Sequence, residues 1–201
     1  WRLAGHGWAT AAKEGLMAYV EKRSNAEILR LSDVRRLTEL ERRAEELWPA
    51  VPETISAMEH WLAEAHLLAS NRDVHREALR TLGSGEAAPP FPADSALIGE
   101  AWRRDVLSKL VADLDSFADT GGGQGTIASV ERRLKFARAI GPASLEKHAE
   151  EWGATIASIV DRRECPAYDG LSIVPQLGLV PIGRDRSSGL WEFAHLASGT
   201  P

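Results

Sequence analysis

The sequence predicts a mainly helical protein that ends in a β-hairpin. Three observations carry that class. Apolar residues recur at steps of three and four through most of the chain, as in helices with one buried face. Pro and Gly gather at a few joints, which divides the helices into separate pieces. Near the end, Gly178-Leu179-Val180-Pro181-Ile182-Gly183 and Leu190-Trp191-Glu192-Phe193-Ala194-His195-Leu196 flank the polar stretch Arg184-Asp185-Arg186-Ser187-Ser188-Gly189. Two short apolar runs around a polar turn ending in Gly are a hairpin signal, and the only clear strand signal here.

Residues 1–20 are Ala- and Gly-rich, with weak helical periodicity. Ser24 with Glu27 has the form of a capping box, so a long charged helix is expected to start there. Its stripe is Ile28, Leu31, Val34, Leu37, Leu40, Ala44 and Leu47, with Arg, Glu and Asp on the other face. Trp48-Pro49 ends it, because a residue before proline avoids the helical region. Pro52 suits the first turn of a second helix, whose stripe is Ile55, Met58, Trp61 or Leu62, Ala65 and Leu68. The short joint makes these two an antiparallel, coiled-coil-like hairpin. Asn71 reads as a break, and residues 74–82 as a short third helix.

Gly83 to Pro92 carries the clearest linker signal. Beyond it, Trp102, Val106, Leu107, Leu110, Val111, Leu114 and Phe117 mark a strong helix. Ile127, Val130, Leu134 and Ala137 mark the next, and Leu145, Ala149, Trp152, Ile156 and Ile159 another. The expected organisation is a helical hairpin region over 1–82, a linker over 83–94, a helical bundle over 95–165, and a turn and β-hairpin over 166–201. The chain opens on Trp1 and stops on Ser198-Gly199-Thr200-Pro201, which reads as a cut in a linker before a further domain.

The chain has 201 residues and a net charge of −5. Residues 1–82 sum to −1 and residues 83–201 to −4, so neither half is a basic arm for nucleic acid. The most apolar early stretch, 3–20, is broken by His6, Lys13 and Glu14, and a membrane span needs about 20 mostly apolar residues. One cysteine, Cys165, rules out an intrachain disulfide and a cysteine-based zinc site. There are seven tryptophans; Trp48, Trp61, Trp102 and Trp152 fall on helical patterns and read as core anchors.

Each motif that hints at chemistry has a simpler reading. Gly121-Gly122-Gly123-Gln124-Gly125-Thr126 lacks the Lys of a phosphate loop and follows a helix, so it reads as an interhelix loop. Asp113, Asp115 and Asp119 lack the alternation of a calcium loop, since its fifth position is Phe117, and they read as a solvated acidic face. His60, His66 and His75 make no His-Glu-x-x-His pattern; they read as surface or half-buried histidines, with Glu64 one turn from His60. His148 and His195 have no partner at ligand spacing, and Cys165 reads as an inert thiol. Arg132, Arg133, Lys135 and Arg138 are the one basic cluster, read as a solvated face within an acidic region. No catalytic, cofactor-binding or metal-binding residue, and no cofactor, is assigned.

Four segments carry a likeness to known proteins. They are residues 31–37 leading to Leu47-Trp48-Pro49, residues 58–65 with Arg72 and 75–79, residues 129–137, and the terminal 176–183 with Gly189-Leu190-Trp191-Glu192-Phe193. Taken in order, most of residues 28–201 resembles the region preceding the sulfatase-modifying-factor (formylglycine-generating-enzyme-like) domain of bacterial multidomain serine/threonine protein kinases. The terminal segment is the most distinctive. The resemblance implies a kinase upstream and a formylglycine-generating-enzyme-like domain downstream. The kinase loop, lysine and catalytic segments are absent from these residues, as is the enzyme's cysteine pair, so no catalytic residue carries over.

Two functions stand open on this reading. One is a non-catalytic spacer and interaction region of such a protein, with the flanking domains as partners and self-association through the long helix. The other is an enzyme fragment, in which Arg184, Asp185, Trp191 or His195 completes a site in the next domain. Neither nucleic acid nor a membrane span within the chain is expected. The compartment stays open between the bacterial cytoplasm and the outer side of a membrane-anchored parent.

Overall fold

The computed structural model describes residues 5–83, 93–119 and 122–196. Residues 84–92 of the expected linker, Thr120 and Gly121 of the glycine loop, and the Ser-Gly-Thr-Pro end lie outside the described residues. The helices are α1 (Gly5–Glu46), α2 (Ile55–Ser70), α3 (Arg72–Gly83), α4 (Ala93–Phe117), α5 (Thr126–Gly141) and α6 (Ala149–Val160). The strands β1 (Leu179–Arg184) and β2 (Trp191–His195) pair antiparallel. The protein is mainly helical with a C-terminal β-hairpin, as the periodicities imply.

The start of α1 differs from the expectation. It runs straight through Ser24 from Gly5. A cap motif ends a helix only where the chain can leave it. The Ala-Ala-Lys-Glu and Leu-Met-Ala runs upstream of Ser24 are good helix formers. The stripe also differs. Leu37, Leu40, Ala44 and Leu47 are buried, but Ile28, Leu31 and Val34 are exposed. Carrying the same three-four spacing toward the N-terminus lands on Asp33 and Arg30, and both are buried. The inward face of α1 therefore turns polar partway along its length.

The chain divides into two compact units, and the division does not follow the order of the segments. One unit joins the residues up to Arg42 with Ala65–Asp119; the other joins Arg43–Glu64 with the residues from Thr120 onward.

In the first unit, α3 packs on α4. Arg76 donates to Asp115 at 2.8 Å, and Leu107, Leu110, Val111, Leu114 and Phe117 are the buried positions of α4. Asp33 is fully buried. Its Oδ2 accepts from Asn71 Nδ2 at 2.9 Å and lies 2.8 Å from His75 Nε2. His75 is thus not the surface or half-buried histidine expected, because its ring is spent on a buried carboxyl group two helices earlier in sequence. Asp33 Oδ1 and Arg30 Nε have no hydrogen-bond partner among the described residues. Arg30 bonds Glu27, and its guanidinium lies 5.7 Å from the centre of the Trp102 ring. That contact replaces the core role expected for Trp102, which is 55% exposed.

In the second unit, α1 ends at Glu46 and the chain turns through the cis peptide Trp48–Pro49 and a short 3-10 turn, Pro52–Thr54, into α2. Arg43 clamps Glu64 with two bonds, at 2.7 and 3.2 Å. Arg133 donates to the Ala44 carbonyl at 2.7 Å, answering an open carbonyl of the last turn of α1. Burial lowers the pKa of this guanidinium, and so does the like charge of Arg132. The large buried side chains are Met58, Trp61, Ile127, Val130, Trp152 and Ile159, all on expected stripes.

Removing one member of a buried polar pair strands the other. His75→Leu should therefore cost about 3 kcal/mol, measured as a shift in urea denaturation. Asp33→Leu combined with His75→Leu should recover part of that loss, since only the half-buried Asn71 amide then loses its partner. A His75→Leu chain as stable as the parent would show that the pair holds nothing.

Candidate functional site

Among the described residues the hairpin is the one regular element that is not helical, and it is the candidate. A two-stranded hairpin is marginal in water by itself. Its surroundings show how it is held.

Between α5 and α6 the helix widens into a π turn at Pro142–Glu146, where Lys147 N donates to the Pro142 carbonyl at 3.0 Å. Wide turns of this kind are rare and bring a residue out of helical register. Here that residue is Ser144, fully buried. Its hydroxyl donates to the Ile140 carbonyl at 2.6 Å and accepts from Gly178 N at 3.1 Å, just ahead of β1. Its carbonyl accepts from the Trp152 indole at 3.0 Å. Gly178 has φ +81, the left-handed region that favours glycine, so the turn calls for it; a Cβ there would meet only the Ile140 side chain, at an ordinary contact distance of 3.4 Å.

β2 is held by its two aromatics. Phe193 stacks on the buried Trp152 ring, with centroids 5.4 Å apart and planes 28° apart. The Trp191 indole donates to Ser158 Oγ at 3.3 Å, and its backbone N–H donates to the Tyr168 hydroxyl at 2.8 Å. Ser158 also donates to Glu164 at 2.8 Å and lies 3.3 Å from the sulfur of Cys165. Cys165 is buried in this polar knot, which gives the thiol a packing role. Opposite Phe193, Pro181 is buried in β1, and the register slips by one residue between Pro181 and Gly183. The slip leaves Ile182 pointing outward, 66% exposed.

The tip is ordered by one carboxylate. Asp185 accepts from Ser187 Oγ, Ser188 N and Ser188 Oγ at 2.6–2.7 Å. These bonds to the charged form, Ser188 first, hold its pKa far below the ordinary carboxylate range. Arg184 Nε donates to the Gly189 carbonyl at 3.1 Å. Of the four residues open to completing a neighbouring site, Arg184, Asp185 and Trp191 are thus engaged within the hairpin and its anchor. His195 is exposed at the end of β2.

The other candidates are dispersed. Arg132 bonds the Gly123 carbonyl, Arg133 caps α1, and Arg138 pairs with Glu59 at 2.5 Å, so the basic cluster points to three different places. Lys135 is exposed beside them. Asp113 pairs with Lys109, and Asp115 with Arg76. His60 meets Glu64 at 3.0 Å, as its spacing implies. His148 lies 3.8 Å from Glu151 and His66 is exposed.

The side chains that build this site, Ser144, Ser158 and Tyr168, carry no sequence motif. The one available signal was Ser158 itself, which shares the buried face of α6 with Trp152, Thr155 and Ile159. No family model matches this chain, and no curated protein and no solved structure matches it.

Replacing Trp191 and Phe193 together with Ala should lower stability by about 3 kcal/mol, the low end for aromatic truncation because both rings are half-buried. An unchanged urea midpoint would show the hairpin resting on nothing.

Proposed function

We propose that this chain is a non-catalytic spacer and docking region that joins folded modules of a larger bacterial protein of the serine/threonine kinase and sulfatase-modifying-factor type. One observation carries the reading. The hairpin is fastened through its inward side, and the same segment turns apolar side chains outward: Leu171, Val174, Ile182 and Leu190 are 50%, 70%, 66% and 42% exposed. A fastened element with outward apolar groups suits docking against a neighbouring module. The terminal resemblance supplies the kind of neighbour, a formylglycine-generating-enzyme-like domain.

Two measurements test it. MgATP should leave the melting temperature of the chain unchanged, because a ligand that binds the native state must raise it. In the protein translated from the whole reading frame, Ile182→Glu with Leu190→Glu should speed protease cleavage just beyond residue 196, while the 201-residue chain keeps its own stability. A clear nucleotide-dependent rise in melting temperature, or a cleavage rate untouched by the two glutamates, would contradict the reading.

A further inference from the structure

Two polar atoms in the seam of the first unit are buried and answered by no protein group among the described residues: Arg30 Nε and Asp33 Oδ1. One is a donor and the other an acceptor. Arg30 is 4% exposed and Asp33 0%, so both side chains are cut off from bulk solvent. Buried polar groups in folded proteins nearly always have a partner. Arg72 and Arg133 also hold an unbonded Nε, but no orphaned acceptor accompanies either among the described residues.

The two atoms belong to neighbours on one helix face. Residues three apart on a helix have Cβ atoms about 5–6 Å from each other. Helical side chains lean toward the N-terminus, which carries the Asp33 carboxyl group toward the stem of Arg30. An outer nitrogen of Arg30 is drawn to Glu27, one turn further on in that direction. Asp33 Oδ2 takes both Asn71 and His75. Arg30 and Asp33 nevertheless make no direct bond or ion pair with each other.

We infer that this seam is a binding site for one internal water molecule, which accepts from Arg30 Nε–H and donates to Asp33 Oδ1. Charge selects the occupant. An anion on the guanidinium would face the Asp33 carboxylate, and a cation on the carboxylate would face the guanidinium. Only a small neutral molecule that both donates and accepts suits the two atoms together, and a buried water is held by two to four such polar partners. The carboxylate then has three donors, from Asn71, His75 and the water, within the capacity of its two oxygens. The water links the charge of Arg30 to the buried carboxylate that α1 presents to His75, and the Trp102 ring, 5.7 Å from the guanidinium, lies over that charge.

Water-selective NMR on the isotope-labelled 201-residue chain tests this. The Hε proton of Arg30 and its non-exchanging Hδ protons should both show cross-peaks to water whose NOE and ROE have opposite signs, the mark of a molecule held in place. Proton exchange with bulk water would instead give equal signs at Hε. Arg30→Met removes the donor, and magnetic relaxation dispersion of the solvent should then count about one held water fewer per chain than in the parent. An unchanged count in a folded variant overturns the inference. Absence of the Hδ cross-peak in the parent overturns it too, whether or not the variant folds. So does a crystal structure with Arg30 Nε bonded directly to Asp33 Oδ1, or with an ion between them.

Discussion

A hairpin of two short strands cannot bury enough surface to hold itself together, and that constraint organises the second unit. The Trp152 ring supplies the apolar floor for Phe193. Ser144, brought inward by the π turn, ties the incoming chain at Gly178 to the end of α5. Ser158 and Tyr168 hold the two N–H groups of Trp191. A buried polar atom without a partner costs about as much as several good contacts add. Here the Trp191 indole meets the Ser158 hydroxyl, the Trp152 indole meets the Ser144 carbonyl, and the Ser144 hydroxyl meets the backbone, so the polar groups add position without a penalty. Position is what a docking element needs.

The first unit meets a similar requirement differently. Its inward helix face turns polar at Asp33 and Arg30, and a polar seam packs only where its groups match. His75 and Asn71 reach Asp33 from α3 and the joint before it. An apolar pair at these positions would tolerate a slip along the helix, while the carboxyl group does not. The seam thus fixes register, and it leaves α1 with an apolar stripe facing away from it.

The helices were largely legible because their periodicity is strong. The stripes of α2, α4 and α5 fall almost residue for residue on buried positions such as Met58, Leu110 and Val130. The hairpin was legible because a polar turn separates two apolar runs. What misled was hydrophobicity taken alone. Ile28, Leu31 and Val34 looked like the core of α1, yet the buried positions beside them are Arg30 and Asp33. Only knowledge of His75 and Asn71 arriving opposite would have reversed that choice. Trp102 misled in the same way, since an exposed ring under a guanidinium has the same sequence signature as a buried one. The clasp of Ser144 was invisible, because a serine that meets a distant strand looks in sequence like one on the surface, and Ser158 showed only its place on the buried face of α6.

The central claim is that the hairpin and α6 form one mechanical piece, and amide hydrogen exchange tests it directly. The ladder amides of Ala194 and Leu196 should exchange at rates close to those of the amides in the middle of α6, because opening the strands requires breaking the Trp152–Phe193 stack and the Ser144 clasp together. Ladder amides that exchange orders of magnitude faster than those of α6 would contradict the account, since the hairpin would then open while the helices stay closed.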